Sequence, residues 1–143
     1  LKALLNEPDR VKLFHFARFD VAIIKHYLQV DISPVYCTKI ASKLCRTFTD
    51  RHSFKELCKE LLGQEISKQQ QSSNWGAAQL TEAQIDYAAA DVLYLHALRE
   101  KLNAMLEREG RLELAQRAMD VVPLRAELDL AGWIDTDIWS HSS

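Results

Sequence analysis

The chain has 143 residues, 48% of them hydrophobic and 27% charged, enough apolar content for one ordinary domain with a real core and too much for a disordered segment. A net charge of −2 argues against a protein that coats nucleic acid over its whole surface, while leaving room for a local basic groove. Three cysteines, Cys37, Cys45 and Cys58, form no Cys-x-x-Cys pair, which disfavours structural zinc and fits a reducing, cytoplasmic setting. No apolar stretch is long enough to span a membrane and no signal peptide is visible. In chain order, 1–5 reads as the tail of a helix, and Glu7-Pro8-Asp9-Arg10 as a turn. Residues 11–16 read as a buried strand, followed by a helix over 17–28. That helix puts Phe19, Ile23 and Tyr27 on one stripe and Val21, Ile24 and Leu28 on the next. Val35-Tyr36-Cys37 is a second short strand leading into a helix over about 38–44.

Ser53-Phe54-Lys55-Glu56 is a capping box, opening a helix that turns Phe54, Leu57, Cys58 and Leu61 inward and ends at Gly63. A polar loop over 64–78 follows, with Trp75 its exception. Thr81-Glu82-Ala83-Gln84 is a second capping box, stapled by Leu80 and Ile85, and starts a long helix reaching about Arg108. Gly110 interrupts, and further helices over 111–119 and 124–131 are separated by Val121-Val122-Pro123 and closed by Gly132. The order strand-helix-strand-helices is that of an α/β fold with a helix-rich C-terminal half.

Two carboxylates stand out. In the long helix, 88–98 is apolar except for Asp91 and His96, and Tyr87 lies one turn before Asp91 on the same face. A lone carboxylate on such a helix is costly to bury unless something pairs with it, such as a metal or a group on a reacting phosphate. Residues alone leave this reading level with a core tyrosine and a solvent-facing aspartate. Asp20 falls in the first turn after a strand, where α/β proteins place ligands. Taken alone, it is better explained as complementing the helix dipole. Lys39, Lys43, Arg46, Arg51, Lys55 and Lys59 form a basic run, read as a solvated surface unless it borders the carboxylates, where it could steer a phosphate backbone. Trp75 reads first as a loop anchor and second as a base-stacking platform. No Gly-rich phosphate loop, His-Glu-x-x-His or Gly-x-Ser-x-Gly occurs. The cysteines read as small apolar core residues.

Together, Phe14-His15-Phe16-Ala17-Arg18-Phe19-Asp20 and Gln84-Ile85-Asp86-Tyr87-Ala88-Ala89-Ala90-Asp91-Val92 resemble the second and third exonuclease motifs of the ribonuclease D-like 3′–5′ exonucleases, the Tyr-containing branch of the DEDD superfamily. Lys68, Gln71, Ser73, Trp75 and Leu80, and the segment beginning His52-Ser53-Phe54, also follow that pattern. The resemblance covers 11 to about 98 and implies a ribonuclease H-like fold. It implies two divalent metals, Mg2+ or Mn2+, with Asp20 and Asp91 among their ligands and Tyr87 orienting the attacking water. It further implies substrate contacts at His15, Phe19, Lys68 and Trp75 and a 3′ end of RNA or single-stranded DNA as partner, with nucleoside 5′-monophosphates as product. The chain departs from the pattern at Cys37-Thr38, where the family often has Asp-Thr, and at Gly76-Ala77-Ala78-Gln79, where it often has Arg-Pro. The family's first motif, Asp-x-Glu on an early strand, is missing upstream of Asp20. The expectation is therefore a single exonuclease domain over 1–143, N-terminally incomplete, whose native protein carries a preceding segment. A stable, folded monomer with the intact mass of 143 residues would sink that expectation. A nucleic-acid-binding module with an incomplete active site is the alternative, and a helical interaction domain comes third.

Overall fold

The computed structural model describes residues 7–66 and 82–141, and of 82–91 the backbone alone. Strand β1 (Lys12–Phe14) and strand β2 (Val35–Cys37) run parallel in one small sheet, with Lys12 opposite Val35 and Phe14 opposite Cys37. Helix α1 (Ala17–Leu28) makes the crossover between them. The turn expected at Glu7 closes through the Arg10 amide donating to the Glu7 carbonyl. Lys12 fastens this entry to the sheet by donating from Nζ to the carbonyls of Glu7 and Ser33.

Side chains alternate across a strand, and here that alternation divides the interior in two. Leu13 and Tyr36 face a core built from helix α2 (Thr38–Cys45), helix α3 (Phe54–Leu57), helix α4 (Glu82–Arg108) and helix α5 (Leu112–Asp120). Phe14, Val35 and Cys37 face the other core, where α1 meets helix α6 (Val122–Leu128). Helices on both faces of a parallel sheet are what its two buried faces require. The α2 helix buries Thr38, Ala41, Ser42 and Cys45, a stripe at helical spacing. The α4 helix fills the first core with Leu98, Leu102 and Leu106 at successive four-residue steps, all fully buried.

Most expected boundaries fall where the elements form. The Ser53 hydroxyl accepts from the Glu56 amide, and the Glu56 carboxylate reaches back to the Ser53 amide. The α3 helix then passes into a wider turn, Cys58–Leu62, which ends at Gly63 with φ 67°. Leu57 and Cys58 are fully buried, while Phe54 and Leu61 pack at the core margin. All three cysteines are buried and none is in a disulfide among the described residues, as expected of small apolar side chains.

Three boundaries differ from expectation. The buried strand expected over 11–16 forms only over Lys12–Phe14, because Val11 is exposed and Phe16 has already turned left-handed to cap α1. Pro123 was expected to separate two helices, but it sits in the first turn of α6, where its missing N–H costs nothing. Gly132 was expected to close that helix, but it lies at φ 114° inside a wide turn, Asp129–Trp133. On α1 the stripe that turns inward is Val21 with Ile24, and Phe19 and Tyr27 stay exposed. Most of the polar loop, with Lys68 and Trp75, and the second capping box lie outside the described residues.

Candidate active site

Both strands end on the same side of the sheet, and the segments that leave them are tied together. The backbone turns sharply after β1: Phe16 takes the left-handed conformation (φ 65°) as it caps α1, an arrangement that costs an aromatic residue about 1 kcal/mol. The Ala17 amide opening α1 points at Cys37 Sγ, 3.4 Å away at the end of β2. The Thr38 hydroxyl donates to the Phe14 carbonyl at 3.3 Å and shares a 2.8 Å hydrogen bond with His15 Nδ1. The Cys37-Thr38 pair, a departure from the family pattern, therefore stitches the start of α1 to the start of α2.

His15 is packed inside this junction, tilted against Phe54 with ring centroids 5.8 Å apart. Burial, reinforced by the positive charge of Lys39, pulls its pKa down from 6.5 to about 4, against an upward pull from the His52 backbone. The imidazole is thus neutral near pH 7. Between pH 6.5 and 4 the unfolded chain binds a proton that the folded one refuses, so stability is full above pH 6.5 and lost as pH falls. The complete loss through His15 is roughly 3 kcal/mol. Urea unfolding at pH 7 and pH 4.5 checks this by difference: His15→Asn should flatten the acid loss relative to the native residue.

Asp20 lies in the first turn of α1, one turn before Ile24. It is half-buried, and burial alone raises its pKa. Among the described residues it has no hydrogen-bond or ion-pair partner. A desolvated carboxylate that lacks a counter-charge is the donor a divalent cation fits, since Mg2+ and Mn2+ take oxygen ligands. Asp20 does not complete such a site alone: among the described residues no group of three or more His, Cys, Asp or Glu could hold a metal ion. Tyr87 and Asp91 are both carried by the backbone of α4, one turn apart, and α4 packs against β1. Their side chains lie outside the described residues, as do Lys68 and Trp75. Next along α4, Val92 and Leu93 are exposed.

Phe19 projects outward. With Phe16, Ile23, Tyr27, Leu130 and Ile134 it lines a groove of about 580 Å³ that Asp20 does not line. One end of this groove is built by a contact the sequence could not announce. Arg18 grips Asp129 in a two-pronged pair, Nε to Oδ2 at 2.6 Å and one terminal nitrogen to Oδ1 at 2.7 Å, and also donates to the Ile134 carbonyl. Arg125 reaches the same carboxylate at 3.4 Å. The partners stand 111 residues apart, and no local spacing links them.

The expected basic run does not form one surface. Arg46 is buried against Ser42, the Arg51 carbonyl and Glu60. Lys59 faces Glu65 at 3.8 Å. Lys39 and Lys43 alone among the six turn toward the junction of α1, α2 and α6. No helix among the described residues is long and apolar enough to cross a membrane.

Comparison with known proteins places the chain in a family. The 3′–5′ exonuclease family profile matches residues 1–107. Ribonuclease D of Gluconacetobacter diazotrophicus is 39% identical over 113 residues, covering 79% of this chain and 28% of the relative. The chain thus spans under a third of the length of that curated relative. Among solved structures, Brucella melitensis NrnC bound to pGG is 52% identical with a TM-score of 0.89, over 98% of this chain and 68% of that one. The same protein with bound Mg2+ is 51% identical by alignment, with a TM-score of 0.89 over the same shares, 98% and 68%. Escherichia coli RNase D is 28% identical with a TM-score of 0.78, over 94% of this chain and 36% of that one.

Proposed function

The chain belongs to the 3′–5′ exonuclease family, and from that membership we propose that it hydrolyses the terminal phosphodiester bond at the 3′ end of RNA or single-stranded DNA with two divalent metals, Mg2+ or Mn2+. The observation that carries the reading is Asp20: a half-buried carboxylate beyond a strand end with no partner among the described residues. The NrnC structures with Mg2+ and with pGG support the choice of metal and of a short 3′ end as ligand.

In this reading Asp20 and Asp91 would hold metal. When bound, the divalent cations supply Lewis-acid polarisation of the phosphate and offset the charge growing on the leaving 3′-oxygen. Tyr87 positions the attacking water through its hydroxyl. A phenol with an ordinary pKa of about 10 stays protonated at neutral pH, so it orients the water and does not deprotonate it. Water oxygen bonds to phosphorus, the bond from phosphorus to the 3′-oxygen breaks, and that oxygen takes a proton. A nucleoside 5′-monophosphate leaves, and the strand keeps a 3′-hydroxyl. Phe19 offers an exposed aromatic face to a base, the family resemblance assigns Lys68 and Trp75 to substrate contact, and His15 contributes as a neutral group. In this reading residues 1–143 are part of one exonuclease domain.

The test uses the native protein and a 5′-labelled single strand. Mg2+ or Mn2+ should give a ladder shortening from the 3′ end, and a chelator should stop it. No metal-dependent release rejects the proposal. Tyr87→Phe should lower kcat about 10²-fold, the cost of a misplaced nucleophile, with KM nearly unchanged. An unaltered kcat would remove Tyr87 from the mechanism.

A further inference from the structure

Lys39 and Lys43 stand one turn apart on α2, and both line a second cavity of about 400 Å³. Its charged lining is cationic throughout: Arg18, Lys39, Lys43 and Arg125. The two arginines are compensated by Asp129. The two lysines have no ion pair among the described residues, and Lys39 Nζ rests 4.5 Å from the centroid of the Phe16 ring. Ile40 and Val122 contribute apolar lining, and Trp139, 61% exposed, flanks the cavity.

Two uncompensated ammonium groups, an apolar wall and an open indole face match a phosphate joined to a planar base. A carboxylate peptide would satisfy the lysines and leave Trp139 unused. Phe16 and Arg18 line both this cavity and the groove that contains Phe19, so a single strand can occupy the two together. Phe16, the residue held in the left-handed conformation, stands at the boundary between them.

We propose that this cavity is a second nucleotide subsite, in which Lys39 and Lys43 take a phosphate and Trp139 stacks on the attached base. The subsite rests on the nucleic-acid reading above and lies apart from Asp20, which lines neither cavity. Its phosphate is either an internal one of a bound strand or that of a free mononucleotide.

The experiment uses the native protein and the double variant Lys39→Gln/Lys43→Gln, with Lys59→Gln as a control outside the cavity. One probe is a ten-nucleotide single strand whose 3′ linkages are phosphorothioate, and the other is adenosine 5′-monophosphate. The double variant should weaken the ten-nucleotide strand about tenfold. The slope of log affinity against log salt should become shallower by about 1.4, two single-strand phosphate contacts at about 0.7 each. Lys59→Gln should change neither, and Trp139→Phe should retain binding that Trp139→Ala loses. Loss confined to the ten-nucleotide strand assigns the site to an internal phosphate, and equal loss for the mononucleotide assigns it to the free nucleotide. Unchanged affinity and slope for both probes, in a double variant with native thermal melting, overturns the subsite. A native protein that binds as described yet releases no nucleotide keeps the subsite and rejects the exonuclease reading.

Discussion

Asp20→Asn should lower metal-dependent release of nucleotides about 10³-fold in kcat and, in the metal-free protein, should raise stability. The two signs come from one fact. The Asp20 carboxylate is half-buried with no cation or donor to balance it among the described residues, so burial penalises its ionised form. An amide of the same shape removes that penalty. With metal present the same charge becomes useful: losing one carboxylate forfeits several kcal/mol of charge stabilisation, and each 1.36 kcal/mol is about tenfold in rate. Asp91→Ala should show an activity loss at least as large. Melting of the metal-free Asp20→Asn protein, set beside its turnover in Mg2+, measures both signs. A variant that is stabilised while turning over at the native rate would make Asp20 a structural residue. The direction of the pKa shift adds a pH test. Protons and metal compete for a carboxylate whose pKa is raised, so apparent metal affinity should fall as pH drops toward the acid range. Asp20→Asn should flatten that dependence.

Much of this fold was legible because short periodicities survive without context. The helix over 17–28 forms where helical spacing placed it, and the short apolar run over 35–37 forms a strand as expected. The Ser53–Glu56 box forms because both of its hydrogen bonds are local. Orientation was not legible. Phe19, Ile23 and Tyr27 make as good an apolar stripe as Val21 and Ile24, and only the position of α6 decides that the second one is covered. The same holds for the site. Asp20 could be singled out because a strand end followed by a first-turn aspartate is local. Arg18 with Asp129, and Cys37 with the Ala17 amide, are pairings that tertiary folding alone brings together. The basic run failed as a unit because charge in sequence says nothing about side-chain direction. Lys39 and Lys43, one turn apart inside α2, line a cavity, while Arg46 sits at the C-cap, where the backbone leaves helical dihedrals (φ −103°, ψ 63°), and is buried.

That last residue carries the largest stability effect to be expected from a single substitution here. Arg46 is 1% exposed. Its guanidinium donates to the Ser42 hydroxyl at 3.2 Å and the Arg51 carbonyl at 2.7 Å, pairs with Glu60, and lies 5.6 Å from the Phe48 ring centroid. Ser42 in turn shares a 2.7 Å hydrogen bond with His52 Nδ1. A planar fork that serves three acceptors in different directions has no substitute in a flexible ammonium. Arg46→Ala leaves those acceptors unpaired and opens a cavity at the C-terminal end of α2. The expected loss is about 3–5 kcal/mol, the range for breaking a buried ion pair from one side, out of a total stability of roughly 5–15 kcal/mol. Glu60→Gln should cost far less, because Glu60 is 34% exposed and water can replace its partner. Thermal and urea unfolding check both values, and equal, small losses would show that Arg46 is not the anchor its burial implies. The effect on the site follows from the same geometry. The α2 helix begins at Thr38, which holds His15, and carries Lys39 and Lys43 on its outer turns. Releasing its far end should therefore loosen both, so Arg46→Ala, assayed below its melting temperature, should lose affinity for a single strand before it loses helix content.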